Sequence, residues 1–342
     1  MAQINKPNTQ MNTVLYTGNG GTQSITGVGF QPNWTWLKAR SESASHEIFD
    51  VVRGVTKTIN SNTTNAEATQ ADSLTAFDSD GFTLGSNGDL NYNGSTYVGW
   101  NWKAGGSPSS NTDGTITSSV SANTTAGFSI VSYGGNSTTG ATVGHGLSTA
   151  PKMIIIKSLG VENWEVYHES LGNTKGIYLN EVDAAFPTSA RWNNTSPTSS
   201  VWTMGSTTAV NGSGIDYVAY CFADVKGFSK FGSYVGNGNA DGTFVYTGMK
   251  PSFIMVRSTG SGQGWNMFDN KRDPFNLVNE FLIANSSNAE ATGGALNCDF
   301  LSNGFKLRGS DGGSNASGST YIYMAFAENP LVGTNGVPAT AR

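Results

Sequence analysis

A chain of 342 residues with only 13% charged residues and a net charge of −5 must owe its solubility to Asn, Ser, Thr and Gly. Weak acidity without clusters of Lys and Arg argues against nucleic-acid binding, because phosphate contact needs basic residues concentrated on one face. Aromatic residues make up 11% of the chain, enough for several small cores, so the composition is not that of a disordered protein. No apolar run reaches the length that a bilayer span requires, and we expect no membrane insertion.

The chain opens with a polar segment, residues 1–11, that has no apolar signal-peptide core. We therefore expect synthesis in a cytoplasm. The segment has no hydrophobic periodicity either, so we expect an arm that docks on a neighbouring subunit or frays.

Beyond the arm, one plan recurs three times along the chain. Each copy has a Tyr before a Gly-rich turn, then a Pro that begins an apolar strand, then a base six residues after that Pro, and finally a closing Tyr strand. Tandem copies of this regularity indicate repeats of one structural unit. The members of the set are Tyr16, Tyr133 and Tyr234; Pro32, Pro151 and Pro251; Lys38, Lys157 and Arg257; and Tyr97, Tyr217 and Tyr321.

Short alternating runs separated by Gly and Asn turns are typical of β-sandwiches rather than of βαβ units. We predict an all-β protein of three tandem antiparallel β-sandwich units, lectin-like or jelly-roll-like, in which any helix is a single turn. The predicted divisions are an arm (1–11), repeat 1 (12–106), a linker or edge strand (107–125), repeat 2 (126–226), repeat 3 (227–330) and an irregular tail (331–342).

The three copies differ in the residues of their predicted hairpin turns. Phe77–Leu84 carries Asp80-Gly81 between apolar runs, and 300–307 carries Asn303-Gly304, so both predict a hairpin. The second copy lacks this signal at 201–205. Residues 58–71 are polar and predict a strand plus an exposed loop.

The strand that follows each Pro is predicted to be central and covered on both faces. Pro at the first strand position costs no ladder bond. Both alternating sets are apolar in the second and third copies, which is typical of a strand buried on both sides. In the first copy Thr35 marks the weaker set, so Trp34 and Trp36 should point inward.

The His, Asp and Cys residues of the sequence do not form a pattern typical of catalysis or metal binding. His46, His145 and His168 have no metal-ligand spacing, and no nucleophile or orienting partner can be named for any of them. His168 occupies the repeat position of Asp50 and Asp269, which favours a shared structural polar position. The Asp78–Gly81 turn lacks the further oxygen ligands of a calcium loop. Cys221 and Cys298 lie in or beside apolar runs and are predicted to be buried thiols. We expect no catalytic residue, cofactor or metal site.

A binding role leaves a few candidates. The first and third copies share an Asn-Ala-Glu-Ala-Thr stretch that the second lacks, and this stretch is either a binding loop or an interface between units. Trp192, in a loop, could stack on a sugar, although a buried aromatic is the commoner outcome. The candidate glycan or partner contacts are Asn65, Glu67, Asn288, Glu290 and Trp192.

The combined pattern resembles the tandem repeats of bacteriophage virion proteins, especially tail-fibre and tail-associated proteins. Its parts are Y-x-G-N-G, the Pro strand ending in a base, D-x-x-G-F-x-L and N-x-x-G-x-x-Y, and the match is best in 227–258 and 302–330. The resemblance implies a virion location and a β-rich sandwich, with no enzymatic residue to carry over.

From this we expect a non-enzymatic virion protein, a tail-fibre or receptor-binding subunit that touches host-surface glycan. The alternative is a capsid-decorating or tail-scaffold protein that binds only other virion proteins. A glycan-cleaving tail protein is the third class, and no acid/base pair can be named for it. A homotrimer is the expected assembly, unless three repeats let one chain supply a three-fold arrangement by itself.

Overall fold

The computed structural model describes residues 2–340, and it divides into three units, each with one large and one small antiparallel sheet. Strands take 43% of the chain and helices 4%, so the predicted all-β class is confirmed. Both α-helices are four-residue turns that begin after a capping side chain, Asn87 in one and Thr207 in the other.

The first unit has a six-stranded large sheet and a three-stranded small sheet. Its elements are β1 (Met11–Thr17), β2 (Gln23–Ile25), β3 (Trp34–Ala39), β4 (Glu47–Asp50), β5 (Gly54–Ile59), β6 (Ala68–Thr69), β7 (Leu74–Asp78), β8 (Gly81–Leu84), α1 (Gly88–Asn91) and β9 (Thr96–Trp102), after a 3-10 turn at Pro7–Thr9. The sheet orders are β1-β9-β3-β4-β5-β6 and β2-β8-β7.

The second unit extends its large sheet to eight strands. Its elements are β10 (Ser109–Asn111), β11 (Ser118–Asn123), β12 (Phe128–Gly134), β13 (Thr142–Gly144), β14 (Met153–Ser158), β15 (Trp164–His168), β16 (Lys175–Tyr178), β17 (Phe186–Pro187), β18 (Val201–Thr203), α2 (Thr208–Asn211) and β19 (Asp216–Phe222), with a 3-10 turn at Glu169–Leu171. The large sheet has the order β10-β11-β12-β19-β14-β15-β16-β17, and the small one is β13-β18. Of the two interpretations of 107–125, the structure therefore has strands and not a free linker.

The third unit repeats the strand order of the first. Its elements are β20 (Ser229–Val235), β21 (Phe244–Tyr246), β22 (Met249–Ser258), β23 (Trp265–Asp269), β24 (Glu280–Ile283), β25 (Ala291–Thr292), β26 (Cys298–Leu301), β27 (Gly304–Leu307) and β28 (Thr320–Pro330). The orders β20-β28-β22-β23-β24-β25 and β21-β27-β26 match those of the first unit element for element.

The strand marked by each Pro lies inside its large sheet, as predicted. The expectation that the Pro begins the strand is wrong for Pro251, because β22 starts at Met249 and its register shifts at Pro251. β3, β14 and β22 each pair with a strand on both sides. Every residue of β3 and β14 is buried. A strand covered on both faces contacts two separate apolar layers, and the two layers are formed by different parts of the structure.

One set of alternate residues on these strands faces a core shared by all three units. Trp34, Trp36, Met153, Ile155, Phe253 and Met255 all belong to it. The other set, with Leu37 in the first unit and Ile154 in the second, faces the small sheet of its own unit. The large sheets are thus packed on their small sheets on one side and on each other on the other side.

The contacts of the closing N-x-x-G-x-x-Y motif account for its Asn and Tyr. In the first unit the buried amide of Asn91 accepts the N–H of Asn19 at 2.9 Å and donates to the Gly85 carbonyl at 2.8 Å. Asn211 and Asn315 make the same pairs of bonds in the other units. Six residues beyond each Asn, the closing Tyr stacks on the Tyr of the first strand, with ring centroids 4.9–5.1 Å apart.

Close backbone approach fixes a Gly in two of the hairpins. A Cβ on Gly81 would lie 1.9 Å from the Ile25 carbonyl oxygen, and one on Gly304 would lie 2.0 Å from that of Val245. Both glycines begin the second strand of the predicted hairpins, β7–β8 and β26–β27. The small sheet of the second copy, which lacks this Gly, consists of β13 and β18, the counterparts of the pairs β2–β8 and β21–β27, and has no strand equivalent to β7 or β26.

The N-terminal arm packs on its own chain. Ile4 is buried in the shared core, and its N–H donates to the Lys226 carbonyl at 3.2 Å. Asn5 donates to the Thr334 hydroxyl of the tail at 2.7 Å. The two ends of the described chain therefore meet beside the boundary of the second and third units.

Candidate functional site

The residues singled out by the repeat pattern gather where the three units meet, and we call each boundary between two units a seam. The register aligns Asp50, His168 and Asp269, because each is paired with the second residue after the repeat Pro. It likewise aligns Trp100, Tyr220 and Met324, three residues beyond the closing Tyr.

At two seams a carboxylate accepts a hydrogen bond from the aromatic side chain of another unit. The Tyr220 hydroxyl of the second unit donates to Asp50 of the first at 2.8 Å. The Trp100 indole N–H of the first unit donates to Asp269 of the third at 3.0 Å. All four side chains are buried, so these bonds form in a low-dielectric setting where they are strong.

The third seam explains why the second copy has His at this position. The partner position in the third unit holds Met324, which has no N–H or O–H to donate, so a carboxylate there would be buried without a partner. His168 Nδ1 accepts the Ser170 N–H at 3.2 Å, which leaves the hydrogen on Nε2. That Nε2–H donates to the Tyr323 carbonyl at 3.1 Å. The prediction of a shared structural polar position is confirmed.

A second ring of contacts involves the strand beside the Pro strand. The indole N–H of Trp164 donates to the Asn60 carbonyl of the first unit at 2.9 Å. Trp265 donates to the Tyr178 carbonyl of the second unit at 2.8 Å. In the first unit His46 takes this role: its Nδ1 accepts the Trp36 N–H at 2.8 Å, and its Nε2 donates to the Ile283 carbonyl of the third unit at 3.0 Å.

Burial and the neighbouring charges set the protonation of these groups. Burial lowers the pKa of His46 to about 3, with Lys38 acting in the same direction, and burial lowers the pKa of His168 to about 4. Both imidazoles are therefore neutral at physiological pH, as their hydrogen bonds require.

At each of the two seams that contain a carboxylate, the aspartate also binds an arginine three residues further along the chain. Arg53 binds Asp50 at 2.6 Å and Glu67 at 3.3 Å, and all but 2% of its side chain is buried. In the third unit Arg272 likewise binds its aspartate, Asp269, at 2.5 Å and its glutamate at 3.0 Å. Sequence reasoning missed both arginines, although their spacing of three from Asp was visible in the two outer copies.

The candidate glutamates lie in these seams. The backbone N–H of Glu67 donates to the Leu159 carbonyl of the second unit at 3.0 Å. That of Glu290 donates to the Arg40 carbonyl of the first unit at 2.9 Å, and Arg40 also binds the Glu290 carboxylate at 2.6 Å. Both Asn-Ala-Glu-Ala-Thr stretches therefore contact another unit through their glutamates, as the interface alternative predicts.

The other three candidate contact residues, Asn65, Asn288 and Trp192, lie in different environments. Asn65 and Asn288 are exposed on the same loops, next to the seams. Trp192 is 1% exposed, packs edge-on against Tyr167 and donates its N–H to the Lys175 carbonyl at 3.0 Å. Its assignment as a sugar-stacking residue is wrong, because the loop folds inward and fills the core of the second unit.

The base at the end of each Pro strand is buried and serves backbone carbonyls. Lys157 donates to the Ser158 and Gly160 carbonyls at 2.6 and 2.7 Å. Arg257 binds the corresponding carbonyls of its own turn and also Asp183 O of the second unit at 2.7 Å. Burial lowers the pKa of Lys38 and of Lys157 to about 8. Carbonyl ligation keeps these bases in place without a carboxylate partner in direct contact.

The remaining polar candidates have structural partners. His145 accepts the Leu147 N–H, and Asp80 accepts the N–H groups of Gly27 and Gly29. Cys221 and Cys298 are buried free thiols, as predicted. Within residues 2–340, no three His, Cys, Asp or Glu side chains are grouped so as to hold a metal ion.

The fold and its seams define an all-β protein of three antiparallel units joined through one shared core. Residues 6–330 match a family described as Domain of unknown function (DUF7483), and the chain belongs to that family. No curated protein matches the chain, and no solved structure does. None of the helices in the described part of the chain is long and apolar enough to cross a membrane.

Proposed function

We propose that the protein is a non-enzymatic structural component of a bacteriophage virion, a tail-fibre or receptor-binding subunit that contacts host-surface glycan. The sequence resemblance to tandem-repeat virion proteins supports the location. The geometry of the seams supports a structural role.

The observation that carries the proposal is the closed ring of contacts between units. The first unit is bonded to the second through Asp50, the second to the third through His168, and the third to the first through Asp269. The repeated polar side chains are thus used to hold the units in fixed positions. A catalytic group needs access to a substrate, and these groups are buried.

A rigid body of this kind suits presentation of binding loops. The shared core fixes the three large sheets, while exposed loops with Asn65 and Asn288 lie beside the seams. Repetition of weak contacts raises the effective concentration of the second contact once the first has formed, without any single tight site. Attachment to a glycan surface is a function that such weak, repeated contacts serve.

A second candidate function has its own support. The three similar units within one chain favour a capsid-decorating or tail-scaffold protein that meets a three-fold position of a particle as a monomer. The expected homotrimer and this monomer are distinguished by sedimentation of the isolated protein together with the copy number in particles.

Electron microscopy of particles labelled with an antibody to this chain tests the proposed location. We expect label at the tail, and label on the capsid shell would replace the first function with the second. A particle without label would overturn both. Release of reducing sugar from host envelope by the pure protein would overturn the non-enzymatic role.

A further inference from the structure

A cleft of about 540 Å³ lies between the N-terminal arm, the start of β1 and the third unit. Its lining includes Lys6 and Asn8 of the arm, Thr13 of β1, and Lys271 and Asn329 of the third unit. This volume is within the range of small-molecule sites, about 300–1,000 Å³. The arm forms one wall, so its docking on the body completes the cleft.

The cleft has an excess of positive charge in an acidic chain. Lys6 and Lys271 form no ion pair with any residue in 2–340, and both are exposed. The carboxylate at the cleft, Glu328, is bound by Lys250 at 3.5 Å and by Asn270 at 2.8 Å. Two ammonium groups therefore remain for an anionic group of a ligand.

A buried hydroxyl without a partner marks the floor of the same cleft. Thr13 is 4% exposed, and its Oγ1 has no hydrogen-bond partner in the described part of the chain. Eleven buried side-chain polar atoms in residues 2–340 lack a partner, and Thr13 Oγ1 is the one among them whose residue lines this cleft. An unsatisfied buried polar group is destabilising, and a ligand that bonds to it removes that cost.

The repeat shows that the fold itself does not require this hydroxyl. Thr13 pairs with Trp100, and the equivalent residues of the other units are Ile130, paired with Tyr220, and Phe231, paired with Met324. Ile130 and Phe231 both pack in the shared apolar core. The one polar residue at this position is the one that lines the cleft.

We propose that this cleft binds an acidic sugar unit of a glycan. The carboxylate of the sugar lies between the ammonium groups of Lys6 and Lys271, and its hydroxyls exchange hydrogen bonds with Thr13 and with the amides of Asn8 and Asn329. Amides and hydroxyls both donate and accept, as sugar hydroxyls require. The inference rests on the proposed glycan-binding function and names its ligand class.

A second cleft supplies an internal control. It measures about 570 Å³, lies between the first and second units, and includes Lys103, Asn33 and Asn123. Its amides are already bonded: Asn33 accepts the Ala104 N–H at 2.8 Å, and Asn123 donates to the Lys103 carbonyl at 3.1 Å. It holds one lysine instead of two.

The test is a calorimetric and NMR titration of the full chain with oligogalacturonate, sialyllactose, a neutral galactose oligomer and inorganic phosphate. We expect an acidic sugar to bind and the neutral oligomer to bind at least about 10-fold more weakly, since each charged hydrogen bond is worth about 1.5–3 kcal/mol. K6Q and K271Q should each weaken binding by a similar factor, and K103Q should not. Thr13→Val should weaken binding without lowering the urea midpoint, because it removes an unpaired hydroxyl.

Several outcomes would overturn the inference: no binding of either acidic sugar, binding unchanged in all three cleft variants, or phosphate binding as tightly as the sugars, which would indicate an adventitious anion site only. Adsorption of the pure protein to host cells separates this result from failure of the proposed function. Equal adsorption by wild type and cleft variants would sink the cleft while leaving the function in place. No adsorption by wild type would sink the function itself.

Discussion

Trp100 of the first unit donates its indole N–H to the carboxylate of Asp269 in the third unit at 3.0 Å, across 169 residues of sequence. The same carboxylate binds Arg272 at 2.5 Å, and neither member of that ion pair has exposed side-chain area. One aspartate thus both neutralises a buried cation and joins two units.

Replacement of Asp269 by Ala should lower the free energy of unfolding by about 3–5 kcal/mol, because the charge of Arg272 would lose its nearest partner inside the protein. Urea denaturation followed by tryptophan fluorescence measures this. The matched control is Glu169→Gln, which removes the partly exposed pair with Lys152. Surface pairs contribute about 0–1 kcal/mol, so equal effects of the two variants would contradict a structural role for Asp269.

The histidines at the seams should make the protein acid-sensitive. The folded pKa values of His46 and His168 are about 3 and about 4, lowered by burial, against about 6.5 in the unfolded chain. Between about pH 6.5 and pH 4 the unfolded chain binds protons that the folded protein does not. The free energy of unfolding therefore falls as pH falls, by up to about 1.4 kcal/mol per pH unit for each histidine.

Two buried carboxyl groups act in the opposite direction and must be separated from this effect. Burial raises the pKa of Glu47 and of Glu165 to about 7, so they reduce stability as pH rises from about 4.5 to 7. The measurement is therefore the difference between wild type and His168→Gln in urea unfolding across this range. We expect the pH dependence of the unfolding free energy of the variant to correspond to about one proton fewer taken up on unfolding. Parallel curves for the two proteins would show that His168 does not change its protonation on unfolding.

Ile155 on β14 tests the shared core. It is 1% exposed and belongs to the core to which all three units contribute. Ile155→Ala should cost about 2–5 kcal/mol, the range for a fully buried aliphatic residue. Val161→Ala, at a position that is 72% exposed, is the control and should change stability by less than about 0.5 kcal/mol. An effect of that small size at Ile155 would mean that the core is misplaced.

Gly81 tests the hairpin that the Asp-Gly signal predicts. An added Cβ would meet the Ile25 carbonyl oxygen at 1.9 Å, so β2 and β8 would have to separate. Gly81→Ala should destabilise the first unit by more than about 1 kcal/mol, as for an alanine in a conformation it cannot adopt. Gly294→Ala, with no atom within 4 Å of the new Cβ, is the comparison in the same thermal-unfolding assay. Equal midpoints for the two variants would refute the close approach.

The local elements and their repetition could be predicted from the residue pattern alone. Pro32, Pro151 and Pro251 each precede or lie in a buried strand, and the N-x-x-G-x-x-Y motif closes each unit with the same hydrogen bonds. These features depend on residues close in the chain or on a periodicity of two, so the pattern of residue types is enough to specify them.

The pairs of residues that meet across the seams became visible only in the folded chain. Asp50 accepts a hydrogen bond from Tyr220, His46 donates to the Ile283 carbonyl, and Glu290 binds Arg40. The two partners in each pair are more than 150 residues apart in the chain. No local pattern encodes such pairs, because a carboxylate or an imidazole has the same residue type whether it binds a ligand or another unit. Trp192 likewise differs from a sugar-stacking residue only in its burial. The packing of three large sheets on one shared core is what turned these polar positions into interior contacts.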